Sequence, residues 1–459
     1  MKLQFSRREF LNMSTTAFAS AGMLSTMGEM QNATAATADT SGYKALVCVF
    51  LFGGNSSFNW LVPTSSAGYS TYAQSRSNLA LSQSSLLPLN GAASDGFSYG
   101  LHPSCPEIQT LFNAGNATFI CNVGTLVRPA TVAQAKAGSV ALPPQLFSHI
   151  DQQTLWQTSI ADSAERYGWA GRVADLYYSQ GVRSNLALNI NVGTANYWQD
   201  GRVTIPYVLG TAGAPTLDIL NNTGYRAGAR RQASIDLLNQ AKVDSNPFVK
   251  EYAAVRTNAI GKVSLVQNAF NSIGDLATPF PPFLGDSDLG AQLHMVARTI
   301  KARSQFADGR QIFFVSMGGY DTHNGELATQ ASLLQILSKN LSSFWDAMGE
   351  VGMQSNVTLF TASDFGRSLG SNGDGSDHGW GGHSLVLGGA VQGGRYYGTM
   401  PSLAINGAND LGNGRIVPTT STDQVAATLT RWFGVADADL DSLFPNLPNF
   451  SSRNLGFLG

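Results

Sequence analysis

The chain has only six histidines, and several of them stand beside carboxylates in glycine-bounded turns. The densest stretch runs from Val357 to Tyr397, VTLFTASDFGRSLGSNGDGSDHGWGGHSLVLGGAVQGGRYY, and carries Asp364, Arg367, Asp377, His378 and His383. Upstream, Gly318-Gly319-Tyr320-Asp321-Thr322-His323 places an acid and an imidazole two residues apart. Imidazole nitrogen and carboxylate oxygen together suit zinc, manganese or iron. Glycine lets the backbone turn sharply enough for such side chains to converge. The competing reading is a long surface loop whose Asp and Gly residues serve turns.

Each candidate has two readings. Asp321 and His323 are metal ligands, or a turn-capping acid beside a surface histidine. Asp364 follows an apolar run, and a buried carboxylate there needs a partner; otherwise it caps a short helix. Arg367 could grip an anionic substrate through two parallel hydrogen bonds, or form a salt bridge to one of these acids. Ser148 is the candidate nucleophile: a helix N-terminus favours an anion, and a metal could activate the hydroxyl. With Asp151 it also fits a capping box, in which hydroxyl and carboxylate satisfy free backbone N–H groups. His149 is a ligand or general acid, or packs on Trp156. His102 and His294 read as structural.

These residues must be held by something, and the hydrophobic pattern supplies it. Lys44–Phe52 (KALVCVFLF) is a near-continuous apolar run, as in a strand buried on both faces of a parallel sheet. Further strands are expected at Ala117–Val123, Leu186–Val192, Gln311–Ser316, Val357–Thr361 and Ser384–Leu387. Helices are expected at Glu107–Asn113, from Gln145 to Thr158, at Trp169–Gln180, through most of Gln232–Phe270, at Leu289–Phe306, at Leu327–Met348 and at Thr422–Phe433, the last capped by Thr420 or Ser421. Pro279–Leu284 reads as a linker. The Pro- and Asn-rich tail Leu443–Phe450 is expected to lie along the surface. Alternating strands and helices predict a mainly parallel sheet covered on both faces. Ligands of such sheets sit beyond the carboxyl ends of the strands. Asn55, Asp321 and Asp364 fall there. His383 precedes its strand, and reaches the same edge only if that strand is antiparallel or its loop curls back.

Composition excludes several function classes. Charged residues are 13% of the chain and the formal net charge is -2, with no basic run beyond the N-terminus, which argues against a nucleic-acid partner. No apolar stretch makes a stable membrane span. Three cysteines cannot all pair within one chain; Cys48 reads as a buried thiol, and Cys105 and Cys121 could pair in an oxidising compartment. Ser6-Arg7-Arg8-Glu9-Phe10-Leu11, a modestly apolar stretch and then Ala-x-Ala sites have the order of a twin-arginine export signal. We therefore expect a signal peptide over 1–38, one domain over 39–459, passage through the twin-arginine translocase, and a periplasmic or extracellular location.

The motifs GGYDTH, SDFGR, DHGWGGH, GGAVQGGRYYG and VPTTSTDQVAATLTRWFGV, with FSHIDQQ and FPNLPNF, resemble the DUF1501 family, whose members resemble the alkaline phosphatase and sulfatase superfamily. The resemblance implies an αβα sandwich and a divalent-metal site, zinc or manganese, built from Asp and His. It implies a nucleophile beside the metal that attacks a small-molecule or polymer phosphate or sulfate ester. On it, Asp321, His323, Asp364, Asp377, His378 and His383 match the metal-binding pieces, and His149 matches the family's Ser-His. One departure stands out. The family usually reads Gly-Gly-x-Asp after the first strand, whereas this chain reads Gly53-Gly54-Asn55-Ser56. A neutral oxygen binds a divalent cation more weakly than a carboxylate, so a one-metal mechanism is more secure than a two-metal one. The expected activity is an exported metal-dependent hydrolase. The alternative is a secreted binding protein that keeps the fold. A Rossmann-type nucleotide binder is a distant third, because the Gly388-Gly389 and Gly393-Gly394 pairs lack the fingerprint's order.

Overall fold

The computed structural model describes residues 38–91, 93–214, 226–282, 288–306 and 309–459. The twin-arginine stretch and the rest of the expected signal peptide up to residue 37 lie outside them, as does part of the Pro279–Leu284 linker.

Alternation along Lys44–Leu51 explains the architecture. Ala45, Val47, Val49 and Leu51 point to one side of the sheet, onto helices Pro106–Asn113, Leu289–Lys301 and Glu326–Glu350. Leu46, Cys48 and Phe50 point to the other, onto Trp169–Ser179 and Thr422–Phe433. A strand apolar on both faces must be covered on both faces, so the result is the expected αβα sandwich.

Among the described residues the main sheet has nine strands. Across it stand Tyr396–Gly398, Ala117–Gly124, Gly382–Gly388, Val357–Ser363, Lys44–Leu51, Arg310–Met317, Asn189–Asn191 and Tyr207–Val208, with Thr420–Ser421 also paired to Ala117–Gly124. All pairings are parallel except those of Gly382–Gly388, which runs against both neighbours. That one reversal satisfies the condition on His383, whose side chain lies within the strand at the end where its neighbours finish.

Register sets the height of the site. Leu51 pairs with both Met317 and Ser363, so three central strands end level. Their loops begin at Phe52, Gly318 and Asp364.

Several expectations are refined or corrected. Gln232–Phe270 is mostly helical as expected, in two helices, Ala227–Ala241 and Pro247–Ile273, where Asn246 accepts the Phe248 N–H and Pro247 opens a new first turn. The helix begun at Leu289 stops at Lys301, and Arg303–Phe306 is a separate turn. The helix expected from Gln145 starts at His149, since Gln145 adopts a left-handed φ of 50°. The tail does not lie along the surface. Leu443, Phe444 and Leu447 are buried in the core, with Phe444 6.1 Å from the Trp169 ring, because their apolar surface outweighs the turn-forming residues between them. Cys48, Cys105 and Cys121 are all free and buried, so Cys105 and Cys121 do not pair. No helix among the described residues is long and apolar enough to cross a membrane.

Candidate metal centre

The two carboxylates that anchor the site come from the ends of the strands on either side of Lys44–Leu51, with Gly53 between them. Gly53 has φ +116°, and a Cβ there would run into the Asp321 backbone nitrogen. Only glycine lets these loops pass. In return the Gly53 N–H donates to Asp364 Oδ1 at 3.2 Å, and its carbonyl accepts from Arg367 Nη1 at 3.1 Å.

Asp364 is fully buried and is used to hold a histidine. Its Oδ2 lies 2.6 Å from His149 Nδ1 and accepts from Gln153 Nε2 at 2.8 Å. His149 and Gln153 are four apart on the helix His149–Thr158, hence on one face. With Nδ1 donating to Asp364, the neutral ring carries its lone pair on Nε2. That atom is buried without a hydrogen-bond partner and faces Asp321 Oδ2 at 3.4 Å.

The same arrangement occurs at two more rings. His378 Nδ1 is 2.7 Å from the Phe147 carbonyl, which can only accept, so its Nε2 also carries the lone pair. That Nε2 lies 3.3 Å from Asp321 Oδ1. His323 Nδ1 stands 3.5 Å from Asp377 Oδ1, and its Nε2 lies 3.1 Å from Asp321 Oδ1 and 3.0 Å from His378 Nε2. Thus three imidazoles have Nδ1 turned to an oxygen and Nε2 turned to one carboxylate. A histidine that ligates a metal is normally oriented in this way by its other nitrogen. The ligand atoms of His149, Asp321 and His378 all lie within 4.8 Å of one another. Donors around a tetrahedral zinc stand roughly 3.3 Å apart, given bonds near 2.0–2.1 Å. Most of the separations here fall close to that value. The donor set therefore fits a divalent cation, with His323 at its edge.

Electrostatics distinguish the rings. The hydrogen bond that His149 donates to Asp364 raises its pKa above the usual histidine value, against the effect of burial. Burial lowers that of His378, which the Phe147 carbonyl only partly offsets. Burial alone would raise Asp321, but the Arg367 hydrogen bond and charge, with His149 and His323, take it below the usual carboxylate range. The Asn372 hydrogen bond lowers Asp377, helped by His323 and Arg415. The Asp321 side chain is 46% exposed, so the group opens to solvent.

Not every residue singled out in the sequence joins this group. His383 stands apart. It is buried, its Nδ1 accepts the Asn122 N–H at 3.2 Å, its ring meets Phe58 edge-on at 5.0 Å, and burial pushes its pKa down to about 3. It is a neutral core histidine. Asp377 backs His323 and is not within the ligand trio. Arg367 is buried and takes the salt-bridge reading: Nη1 donates to Asp321 Oδ1 at 2.6 Å, Nη2 to the Ser376 carbonyl and Nε to Ser376 Oγ. It cannot also grip a substrate. The capping box at Ser148 does not form; the hydroxyl instead donates to Asp151 Oδ2 at 2.5 Å. His149 packs on Phe365, ring centres 4.9 Å apart, rather than on Trp156.

Sequence reasoning missed the supports. Gln153 was within reach through its spacing from His149. Ser56, at the position of the family's acid, hydrogen-bonds Glu326 at 2.7 Å and receives Arg76 Nη2 at 3.2 Å. It belongs to a buried polar network behind the site. Nothing local in the sequence marks Arg76 or Glu326 as partners.

Comparison with known proteins gives the following. A family model described as "Protein of unknown function (DUF1501)" matches residues 43–441. No curated protein matches the chain. Among solved structures, the chain is similar to a protein in the alkaline phosphatase superfamily from Vibrio parahaemolyticus, at 12% identity and a TM-score of 0.37, covering 87% of this chain and 69% of that one. It is also similar to the PsFucS1 sulfatase from Pseudoalteromonas sp., at 11% identity and TM-score 0.35, covering 86% and 68%. A third is the C-terminal periplasmic domain of EcEptC from Escherichia coli in complex with Zn, at 9% identity and TM-score 0.30, covering 77% and 75%. Likeness at these scores carries no inference about the reaction.

Proposed function

The chain belongs to the DUF1501 family, and from that premise and the geometry above we propose that it is an exported metal-dependent hydrolase of the alkaline phosphatase or sulfatase type, acting on a phosphate or sulfate ester. The observation that carries the reading is the convergence of three oriented imidazole Nε2 atoms on Asp321. His149, Asp321 and His378 would hold the cation, zinc or manganese, with His323 alongside.

A bound divalent cation would supply Lewis-acid stabilisation of charge developing on the ester oxygens. The chain's residues do the rest. Asp364 and the Phe147 carbonyl fix which nitrogen of His149 and His378 is free. Arg367 holds the Asp321 carboxylate in place. Asp377 can hold the His323 Nδ1–H and stabilise the imidazolium, so that a His323 protonated on Nε2 as well could pass that proton to the leaving oxygen. Ser148 Oγ meets Asp151 rather than any of the cation-binding atoms, and on this reading the attacking group is water.

Metal analysis of protein purified from its native export route tests this. One equivalent of zinc or manganese is expected, lost in His378→Ala. Ester hydrolysis should disappear with the metal and survive in Ser148→Ala. A stable, metal-free wild type would overturn the reading.

A second reading has one observation in its favour. Arg367 already neutralises Asp321, and Ser56 supplies no acid, so the cation position has fewer negative groups than the family pattern implies. A binding protein that keeps the fold would then show no turnover in a metal-supplemented ester screen.

A further inference from the structure

The arginine bonded to Asp321 in the centre described above is internal. Arg367 is 1% exposed, and each of its nitrogens is already donating. An anionic ester would need another positive group at the mouth.

Arg415 is the positive group bonded to the backbone of one of the ligands. Its Nε donates to the His378 carbonyl at 3.1 Å, and its guanidinium lies over the Phe147 ring, 4.5 Å from the centroid. Phe147 is the residue whose carbonyl orients His378, and it precedes Ser148 and His149. Arg415 therefore packs against the backbone that carries two of the three ligands. A guanidinium stacked on an aromatic face keeps its donor edge free in the plane. No hydrogen bond to Nη1 or Nη2 is formed among the described residues, and Arg415 is only half-buried.

The loop that presents it is pre-set. Asp410, 1% exposed, accepts N–H bonds from Gly412 and Gly414 through Oδ1, each within 2.9 Å, and from Asn406 through Oδ2 at 2.8 Å. The Arg415 N–H closes the turn on the Gly412 carbonyl. An arginine held at both backbone and Nε, with its fork open, loses little freedom on binding.

We propose that Arg415 is the anion-binding residue of the site. Its Nη groups would take non-bridging oxygens of a phosphoryl or sulfuryl group by charge-assisted hydrogen bonds. The inference rests on the hydrolase reading for its substrate class.

Inorganic phosphate and inorganic sulfate are the probes, titrated calorimetrically into zinc-loaded and metal-free full-length protein. Phosphate binding stronger than sulfate binding would assign phosphate esters, and the reverse sulfate esters. Arg415→Ala should weaken the preferred anion about tenfold or more, Arg415→Lys by less, with zinc retained. A purely structural arginine would shift the midpoint and leave anion affinity alone. Unchanged anion affinity in a zinc-retaining Arg415→Ala overturns the proposal. If the wild type holds no zinc, the hydrolase reading fails by itself, and the metal-free titration still judges Arg415: binding lost in Arg415→Ala supports the anion role, while equal or absent binding overturns it. Should Arg415→Ala fail to fold, Arg415→Gln, which preserves a donor to the His378 carbonyl, replaces it.

Discussion

His149 is the residue at which proton and metal compete. Its hydrogen bond to Asp364 raises the folded pKa above the unfolded value of about 6.5. In the metal-free protein, that interaction stabilises the fold fully below the unfolded pKa, and the contribution is lost as pH rises through the raised folded pKa. A metal needs the neutral ring, so the dependence of binding runs the other way. Zinc affinity should rise as pH climbs through that pKa and level off above it, with about one proton released per zinc at the acid end. Zinc titrations in buffers of different ionisation enthalpy would show both; a flat profile would exclude His149 as a ligand. His378, lowered by burial, remains neutral further into acid and does not set the limit. His149 was recognisable from the family's Ser-His. Its working nitrogen was not, because that depends on Asp364, 215 residues away.

Two helices face each other end to end behind the site. Arg76 is the last residue of Ser66–Arg76, and Glu326 the first of Glu326–Glu350. Each charge suits its own helix end, the cation at a C-terminus and the anion at an N-terminus. Their side chains form a salt bridge at 1% and 0% exposure. Ser376 Oγ donates to the same carboxylate, and Ser376 also accepts from Arg367, which steadies Asp321. Glu326→Leu leaves the Arg76 guanidinium buried without its anion and should cost about 3–5 kcal/mol of stability, read as a lower urea midpoint at unchanged slope. A shift within error would show that the pair is dispensable. Of the two helices only Leu327–Met348 was legible as a periodic pattern, nearly to its ends; Ser66–Arg76, rich in Ser and Ala with little apolar periodicity, was not. The pairing was not, since a 3.6-residue period identifies a buried face but not the neighbour against it.

At the scale of the molecule, the sheet could be read because its strands are long apolar runs. The branch points could not. A capped break at Asn246 looks like helix continuing, and an apolar tail diluted with Pro and Asn looks like surface until Trp169 is found beside Phe444. His383 shows the same limit: the residue type suits a ligand, yet the edge it reaches is occupied by Asn122 and Phe58. Parallel pairing has a further consequence in time. The first strand of the sheet, Lys44–Leu51, lies between Arg310–Met317 and Val357–Ser363, so it cannot find either neighbour until most of the chain has been made. Contacts of such long sequence separation form slowly. On dilution from urea, helical circular dichroism should return first and the capacity to capture zinc last; simultaneous recovery would show that the ligands assemble without the sheet. A nascent chain would thus have no cation trap to offer, and the appearance of one would report that synthesis and folding are complete.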